Sequence, residues 1–522
     1  MSEPEWRKVC RQEDLPEGKP LLVRAGEDDV CLVLLEGTVY AIGDKCTHYE
    51  CPLNEGLVDG GVVTCKCHDA RFDMRTGRAL SAPALNDLPV FPVRVDAGDV
   101  LVGLVEKPRF PKPHGSDART FLIVGGGAAG NAAAETLRRE GFAGRIAMIT
   151  AEGDLPYDRP NLSKEFMSGD AKPEWMLLRS AKFYANQNIE VLTDTRVQSI
   201  DPGRKTVSLS TGQTLSYDKA LLATGAAPRK LPVPGADGEG CYQLRSFADG
   251  RLIAEAAANA KRALLIGSGF IGMELASSLR KRGLDVVVVS PEAVPFAKVV
   301  GEKVAAVLRA RHEKDGVTFL SSASVSQISG AKGAKTIVLL DGRQLEADFV
   351  VYGIGVQPAV EYLHRTDMVE NGAVPVDGTL RTKHADLFAA GDIAEVRDAL
   401  SGTSVRTEHW VVAERQGQHA ARAMLGSNAL YSEVPFFWTR QTGASLKYVG
   451  FAPQWDETVY RGDLEKGKFL AGYYAGGTLV AASAMGMPNE ITAVKLLIEK
   501  KKALPPAKLA DGSVDLLALA RG

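Results

Sequence analysis

Residues 121–141 read FLIVGGGAAGNAAAETLRREG, and this stretch decides the fold of the longest part of the chain. Apolar residues lead into a glycine-rich turn, and a run with helical periodicity follows, so the pattern predicts a strand, a tight turn and a helix. Gly125, Gly127 and Gly130 fit G-x-G-x-x-G, a spacing that lets a phosphate approach the backbone at the start of a helix. We therefore predict a dinucleotide-binding fold here.

The same pattern occurs a second time further along the chain. Residues 263–283 read ALLIGSGFIGMELASSLRKRG and place Gly267, Gly269 and Gly272 at the same spacing, again before an apolar strand. Two dinucleotide-binding folds in one chain predict two dinucleotides. Flavin and nicotinamide are the chemically sensible pair, because a flavin accepts a hydride and then releases electrons singly.

Carboxylates near the two motifs indicate which nicotinamide is bound. Glu152 follows Gly130 at a distance where an acid can bind ribose hydroxyls. In the second copy Ser290 stands where the ribose-binding acid is usual, and Glu292 is the carboxylate that could reach a 2′-hydroxyl. Residues 289–298 contain no arginine to receive a 2′-phosphate. We expect NADH as the cofactor, with NADPH possible; alternatively Glu292 is only a loop charge, and the selectivity between the two is modest.

Two short cysteine–histidine boxes precede the first nucleotide motif. They read CTH at residues 46–48 and CKCH at residues 65–68. A 2Fe–2S cluster of mixed ligation takes two thiolates on one iron and two imidazoles on the other. Structural zinc also accepts two cysteines and two histidines, but its sites usually pair like with like. Because each box mixes the two residue types, the cluster is favoured and zinc is the alternative.

The text around these boxes resembles the Rieske family over roughly the first 105 residues. The similarity is carried by CTHYECPL at 46–53 and CKCHDARFDMRTGRAL at 65–80, set among short alternating runs that predict strands. The resemblance implies an all-β domain that holds a Rieske-type 2Fe–2S cluster. The ligands that it implies are Cys46, His48, Cys65 and His68.

Two further pairs of residues bear on the properties of that cluster. Cys51 and Cys67 fall where the high-potential Rieske proteins place a disulfide; here either a bridge or two reduced thiols is open, since cytosolic chains seldom keep one. Those proteins also carry a serine and a tyrosine that donate to sulfur, whereas this chain has Ala70 and Phe72. Fewer donors predict a redox potential near the low end of the Rieske range, about −150 mV.

The remainder, from residue 119 to 522, resembles the FAD-dependent ferredoxin reductases and the apoptosis-inducing-factor-like branch of the pyridine nucleotide-disulphide oxidoreductases. Neither cofactor-proximal helix carries the cysteine pair of the disulfide reductases, so reduction through a dithiol is not expected. Besides the two nucleotide motifs, the matching segments are LPYDRPNLSK (155–164), ATGAAPR (223–229), VVYGIGVQP (350–358), FAAGDIA (388–394), EHWVVAERQG (408–417) and VPFFWTRQ (434–441).

The resemblance implies a role for particular residues of these segments. Arg159 and Lys164 would lie along the FAD, Asp392 would bind its ribityl-phosphate region, and Trp410 would flank the isoalloxazine or nicotinamide. Lys164 and Glu274 would pair beside flavin N5. The ordinary alternatives are a surface lysine, a plain helix residue for Glu274, a helix N-cap for Asp392 and core packing for Trp410. The catalytic candidates are Lys164, Glu274 and Trp410, and the further cofactor contacts are Thr224, Gly225, Gly355 and Gly391.

The expected fold class is multidomain: an all-β Rieske domain, two α/β dinucleotide-binding domains of the glutathione-reductase kind, and a C-terminal α+β domain. A length of 522 residues allows three to four domains. The predicted ranges are 1–106 for the Rieske domain, 107–118 for a linker, 119–245 with 355–432 for the discontinuous FAD-binding domain, 246–354 for the NAD(P)H-binding domain and 433–522 for the C-terminal reductase domain.

The predicted activity is that of an NAD(P)H:ferredoxin-type oxidoreductase, in which electrons pass from nicotinamide through FAD and the cluster to a redox protein. That acceptor would be an oxygenase, a ferredoxin or a haem monooxygenase. The alternative is a redox-signalling flavoprotein like apoptosis-inducing factor. A net charge of −2 and the lack of a long apolar run predict no nucleic-acid partner and no membrane association. We expect a cytoplasmic monomer or homodimer.

Overall fold

The computed structural model of the chain describes residues 5–103, 110–111, 115–397 and 402–521. Half of the predicted linker, namely residues 107–109 and 112–114, lies outside the described residues. Within these described ranges, no helix has the length and apolar character needed to cross a bilayer.

The first 103 residues form three antiparallel sheets and no α-helix among the residues described. Both cysteine–histidine boxes lie in loops: one follows the strand Thr38–Gly43, and the other joins Val62–Thr64 to Arg71–Asp73. The three sheets consist of Trp6–Arg11, Val93–Asp96 and Asp99–Gly103; of Leu21–Ala25, Asp28–Leu35 and Thr38–Gly43; and of Leu57–Asp59, Val62–Thr64, Arg71–Asp73 and Ala79–Ser81.

The first nucleotide-binding unit is built on a five-stranded parallel sheet whose central strand is Thr120–Val124. The glycine turn follows that strand and leads into the helix Ala128–Arg139, which packs on the helix Trp410–Met424. The parallel strands are, in spatial order, Ile189–Leu192, Arg145–Ile149, Thr120–Val124, Lys219–Leu222 and Leu387–Ala389. Smaller elements are Glu165–Ser168 and Ala181–Asn186 (helices), and Val197–Asp201, Thr206–Leu209, Thr214–Ser216, Val374–Val376, Ala394–Arg397 and Ser404–Val405 (strands).

The second nucleotide-binding unit is inserted into the first. Two paired antiparallel strands connect the units: Ala226–Pro228 leads from the first unit into the second, and Val356–Pro358 leads back. Its sheet also takes in Cys241–Tyr242, which precede the expected boundary at 246, because this strand pairs with Phe349–Tyr352. The parallel strands are Cys241–Tyr242, Phe349–Tyr352, Arg262–Ile266, Asp285–Val289 and Val317–Leu320. The antiparallel strands are Val325–Ser329, Lys335–Leu339 and Gln344–Ala347, and the helices are Phe247–Ala258, Phe270–Lys281 and Ala297–Lys314.

The C-terminal unit is a five-stranded antiparallel sheet with helices on one side. Its first strand, Phe436–Gln441, packs on the helix Phe270–Lys281 of the second nucleotide unit. The helix Pro488–Glu499 buries Ile491, Val494 and Leu497 in a core that also contains Leu57 of the first domain. The strands are Phe436–Gln441, Ala444–Gly450, Thr478–Met485, Lys468–Ala475 and Glu457–Asp463, and the helices are Pro488–Glu499, Pro506–Ala510 and Leu516–Arg521.

Candidate functional site

A cavity of about 600 Å³ opens at the carboxyl ends of the first parallel sheet, where doubly wound folds bind their ligands. It is bounded by the first nucleotide unit, by the helix Phe270–Lys281 of the second and by the strand Phe436–Gln441 of the C-terminal sheet. The sequence-predicted residues that line it are Gly125, Gly127, Glu152, Arg159, Lys164, Thr224, Gly225, Glu274, Gly391, Asp392 and Trp410.

The first glycine turn has the shape that a dinucleotide needs. Gly125 has φ +118°, and a Cβ there would lie 2.1 Å from the carbonyl oxygen of Ala223. A Cβ at Gly130 would lie 1.9 Å from the oxygen of Gly125, so only glycine lets the helix approach the strand. A Cβ at Gly127 would meet no described atom within 4 Å, which leaves its backbone open to a phosphate. These observations fit a bound FAD.

The second glycine turn repeats this arrangement outside the cavity. A Cβ at Gly267 would lie 2.2 Å from the oxygen of Gly353, and one at Gly272 would lie 2.5 Å from the oxygen of Gly267, whereas Gly269 faces open space. Neither this turn nor Glu292 nor Gly355 lines the 600 Å³ cavity. The helix that begins at this turn does reach the cavity, through Phe270 and Glu274.

Two carboxylates in the cavity already have cationic partners. The Glu152 carboxylate accepts hydrogen bonds from the hydroxyl of Tyr157 at 2.6 Å and from Arg159 at 2.7 Å. Asp392 lies 3.3 Å from the guanidinium of Arg245. Both acids are held in fixed orientations at the rim of the site, and their remaining lone pairs are free to accept from ligand hydroxyls.

Lys164 and Glu274 form a buried ion pair. Nζ of Lys164 donates to Oε2 of Glu274 at 2.7 Å, and the side chains are 11% and 6% exposed. The same carboxylate accepts from Ser163 Oγ at 2.6 Å and from Thr439 Oγ1 at 2.6 Å. One acid therefore ties together three units of the fold, because these partners come from the first nucleotide unit and the C-terminal sheet.

The four predicted cluster ligands lie together at the tip of the first domain. The thiols of Cys46 and Cys65 are buried in the same cluster and shift one another's pKa, and the Nδ1 atoms of His48 and His68 lie 3.1 Å apart. Thiol is thus grouped with thiol and imidazole with imidazole, as a two-iron cluster of mixed ligation requires. Burial lowers the pKa of His48 to about 4, so the imidazole is neutral and able to bind a metal.

The zinc alternative fits this arrangement less well. In the part of the chain that the structure describes, the group of three or more ligating atoms that lie within 4.8 Å of one another consists of Cys51, Cys65 and Cys67, so the four predicted ligands do not converge on one point as tetrahedral zinc would require. Cys51 and Cys67 form a disulfide, which removes both as ligands. The bridge ties together the two loops that carry the cluster ligands.

Trp438 joins the cluster ligands to the large cavity. Its ring centroid lies 4.3 Å from that of His68 and 6.4 Å from that of His48, and the same side chain lines the cavity wall. Tyr49, beside His48, donates a hydrogen bond to Asp158 of the first nucleotide unit. The tip of the first domain therefore faces the cavity across a single aromatic side chain.

A buried ionic cluster holds the first domain in this position. The carboxylate of Asp69, the residue after His68, accepts from Arg415 at 2.8 Å and from Lys495 at 2.6 Å. All three side chains are at most 3% exposed. Burial alone would raise the pKa of Asp69, but Lys495 and Arg415 bring it well below its usual range. A second pair, Arg71 with Glu499 at 2.5 Å, lies beside it.

Several of these contacts were not predicted from the sequence. Trp438 and Thr439 fall in the segment VPFFWTRQ (434–441), which matches the reductases, but the resemblance implied no role for either residue. The aromatic run FFW in a strand was the sequence feature that could have pointed to Trp438. Asp69 and Arg415 gave no signal, because each is an ordinary charged residue in its own segment and the pairing spans 346 positions.

Comparison with known proteins gives three family matches along the chain. The family model for pyridine nucleotide-disulphide oxidoreductases matches residues 119–417, that for Rieske 2Fe–2S domains matches residues 5–92, and that for the reductase C-terminal domain matches residues 436–520. All three fall in the order in which the structure arranges its units.

Similar proteins cover either the whole chain or its reductase part. Apoptosis-inducing factor 3 of Homo sapiens is 35% identical over 513 residues, 95% of this chain and 84% of that protein. The anthranilate 1,2-dioxygenase system ferredoxin–NAD(+) reductase component of Burkholderia cepacia is 36% identical over 76% of this chain and 98% of its own length. A ferredoxin reductase from Rhodopseudomonas palustris, of the CYP199A2 system, superimposes with a TM-score of 0.74 at 31% identity, covering 77% of this chain and all of that one.

Proposed function

This chain belongs to the pyridine nucleotide-disulphide oxidoreductase family, and because it also carries a Rieske domain, we propose that it is an NAD(P)H-dependent FAD reductase with its own electron outlet. It passes electrons from nicotinamide through FAD and a Rieske 2Fe–2S cluster to a redox protein. The reductases that it resembles are named for ferredoxin–NAD(+) reduction, which supports an activity of the same class here.

One observation carries this proposal: Trp438 contacts His68 on one side and lines the nucleotide cavity on the other. When bound, FAD supplies hydride acceptance followed by single-electron release, and a Rieske cluster supplies a one-electron site. An aromatic side chain between the two cofactor sites keeps the gap short and dry. This arrangement supports electron transfer from the flavin in the cavity to the cluster of the same molecule.

The residues of the chain divide the remaining work. Backbone at Gly127 and Gly269 receives the two pyrophosphates, while Glu152, Asp392 and Glu292 hold ribose or ribityl hydroxyls. Lys164, fixed by Glu274, places a positive charge at the reacting end of the cavity, and Trp410 closes its wall. Hydride transfer needs alignment more than a proton relay, so these roles are mainly those of orientation.

The acceptor is proposed to be a soluble redox protein. The Burkholderia cepacia relative is named as part of a dioxygenase system, which supports an oxygenase or its ferredoxin as the acceptor here. NADH is favoured over NADPH, because no arginine lies in the loop after the strand Asp285–Val289. A cytoplasmic location and a monomeric or homodimeric state are parts of the same proposal.

A cluster-deficient variant tests the proposal. The full chain, loaded with FAD and about two iron atoms per molecule, should reduce both ferricyanide and cytochrome c with NADH. Cys46→Ser should lose cytochrome c reduction and keep ferricyanide reduction, which the flavin site alone supports; Cys10→Ser, in the first strand of the same domain, is the matched control. Unchanged cytochrome c reduction in Cys46→Ser, or zinc in place of iron, would refute the proposal.

A second candidate function has its own supporting observation. Apoptosis-inducing factor 3 matches 95% of this chain, including a stretch that the bacterial ferredoxin reductase matches leave uncovered. A redox-signalling role would require that NADH binding changes contacts with a partner while turnover stays slow. A fast, cluster-dependent cytochrome c reduction decides for the reductase, and slow turnover with a long-lived NADH complex decides for signalling.

A further inference from the structure

A chain of buried hydrogen bonds continues from Glu274 into the C-terminal sheet and ends at a histidine. Thr439 donates to Glu274 Oε1 at 2.6 Å, and Gln441 Nε2 donates to Thr439 Oγ1 at 3.0 Å. The other end of the amide, Oε1 of Gln441, lies 2.5 Å from Nε2 of His312. His312 is fully buried, and Thr439 and Gln441 are nearly so.

The direction of every bond in this chain follows from the acid at its end. An ionised carboxylate can only accept, so the Thr439 hydroxyl has to donate to Glu274. That hydroxyl then accepts from the amide N–H of Gln441, which turns the amide oxygen toward His312. His312 must therefore carry its hydrogen on Nε2.

The other ring nitrogen of His312 is consistent with that assignment. Among the described residues, Nδ1 of His312 is buried and has no hydrogen-bond partner, as expected for a nitrogen that bears a lone pair only. Burial lowers the pKa of His312, so the ring is neutral. A neutral ring with its hydrogen on Nε2 donates a hydrogen bond to Oε1 of Gln441.

Without His312, nothing would fix which groups donate and which accept in the hydrogen bonds that lead to Glu274. Without a donor opposite it, the Gln441 amide is free to turn its oxygen toward Thr439. The hydroxyl would then donate to the amide, and Glu274 would keep two side-chain donors, Ser163 and Lys164, out of three. A carboxylate that has lost one of three donors is less firmly held against Lys164.

We propose that His312 and Gln441 are positioning residues for hydride transfer: they fix the Thr439 hydroxyl as a donor, and Thr439 fixes Glu274 against Lys164. The inference rests on the proposed function, in which the Lys164–Glu274 pair lies at the reacting end of the cavity. His312 lies on the helix Ala297–Lys314 and touches the pair only through the C-terminal strand.

The tautomer of His312 in the unaltered protein is the first test, and it does not depend on turnover. In the full chain labelled with ¹⁵N-histidine and loaded with FAD, the His312 ring should be neutral with its hydrogen on Nε2. His312→Leu, which lacks the signal, assigns it. A hydrogen on Nδ1 would overturn the proposal. Nε2 would then accept from the Gln441 amide, and the Thr439 hydroxyl would donate to Gln441 and not to Glu274.

Stopped-flow reduction of the FAD-loaded chain by NADH is the second test. His312→Leu should lower the rate constant at saturating NADH about tenfold, which corresponds to about 1.4 kcal/mol, with the NADH concentration for half-saturation unchanged. Thr439→Val should act alike, while Thr439→Ser, which keeps the hydroxyl, should restore most of the rate. An effect on half-saturation alone would overturn the proposal.

Double variants separate positioning from general destabilisation. His312→Leu with Thr439→Val should be no slower than Thr439→Val alone, because both act through one hydroxyl; multiplied losses would overturn the proposal. In a Lys164→Met background, His312→Leu should add nothing. If Lys164→Met itself leaves the rate unchanged, the proposed role of the pair fails; if it slows the rate and His312→Leu does not, only the positioning inference fails.

Discussion

At the scale of single residues, Lys164 is fixed in the cavity by its ion pair with Glu274. Its ammonium meets Glu274 at 2.7 Å in a site from which water is largely excluded. Charge-assisted hydrogen bonds in such sites contribute about 1.5–3 kcal/mol each. In the proposed function, this fixed cation stabilises the negative charge that develops in the cavity when a hydride arrives.

Lys164→Met should slow reduction of the bound flavin by NADH, about 10- to 100-fold, because the change removes the cation and keeps the side-chain volume. Stopped-flow absorbance measures the rate constant directly. Lys182→Met, at an exposed position of a neighbouring helix, is the control and should be neutral. Equal rates for both variants would refute the role of Lys164.

The cluster potential is a second prediction at this scale. Ala70 and Phe72 are fully buried beside the cluster loops and bring no hydroxyl to the ligand sulfurs. We expect a potential of about −150 mV, and Ala70→Ser should raise it by adding a donor. A redox titration followed by electron paramagnetic resonance measures both; a clearly positive potential for the unaltered protein would contradict the argument.

At the scale of elements, the strand Phe436–Gln441 serves two sites at once. Alternation along a strand sends successive side chains to opposite faces. Trp438 contacts His68, while Thr439 and Gln441 contribute to the buried chain that supports Glu274. One strand thus connects the hydride site with the cluster domain.

Trp438→Leu should slow cluster reduction and leave flavin reduction by NADH unaffected, because the side chain fills the gap between the cavity and His68. Trp438→Phe keeps an aromatic ring and should fall between Leu and Trp. Separate absorbance bands of flavin and cluster in stopped flow resolve the two steps. Trp175→Leu, 64% exposed, is the control. A fall in flavin reduction alone would place Trp438 elsewhere in the reaction.

The contact between the cluster loop and two helices gives a prediction about docking. Asp69→Leu removes the carboxylate that Arg415 and Lys495 share and leaves each buried cation with one other acid, Glu433 and Glu499 respectively. Breaking a buried ion pair typically costs about 3–5 kcal/mol, and the remaining partners bring the expected loss to the low end of that range. We expect faster hydrogen exchange in the helix Trp410–Met424 and slower cluster reduction. Asp59→Asn removes the partner of Lys500, a half-exposed pair at the same boundary, and should have little effect.

If hydrogen exchange in the helix Trp410–Met424 were the same in the Asp69→Leu and Asp59→Asn variants, the buried ionic cluster would not be what holds the first domain in place. The first domain would then be retained by its other contacts, such as the packing of Leu57 against the C-terminal core and the ion pair of Asp87 with Arg139.

At the scale of the whole molecule, the order of domains, the two nucleotide motifs and the cluster boxes could be predicted from the sequence, because each is a local pattern. The docking of the first domain could not. Asp69 meets Arg415 and Lys495 across hundreds of positions, and Trp438 contacts His68 only because the C-terminal sheet packs beside the first domain. The bridge between Cys51 and Cys67 was left open by the sequence, and the structure contains it.

This docking bears on how electrons travel. A cluster domain on a swinging tether would expose His48 and His68 when detached, whereas here both half-buried rings lie within 6.4 Å of Trp438, measured between ring centroids. With several buried ion pairs across the boundary, the docked arrangement is the resting one. Transfer to the cluster should therefore occur inside a single molecule.

Anaerobic rapid mixing with NADH shows whether electrons pass from flavin to cluster within one molecule. The holoprotein, frozen at successive times and examined by electron paramagnetic resonance, should show the reduced cluster appearing after flavin reduction. The rate constant should be the same at every protein concentration, as a step within one chain requires. A cluster that stays oxidised while the flavin is reduced, or a rate that rises with protein concentration, would contradict the account.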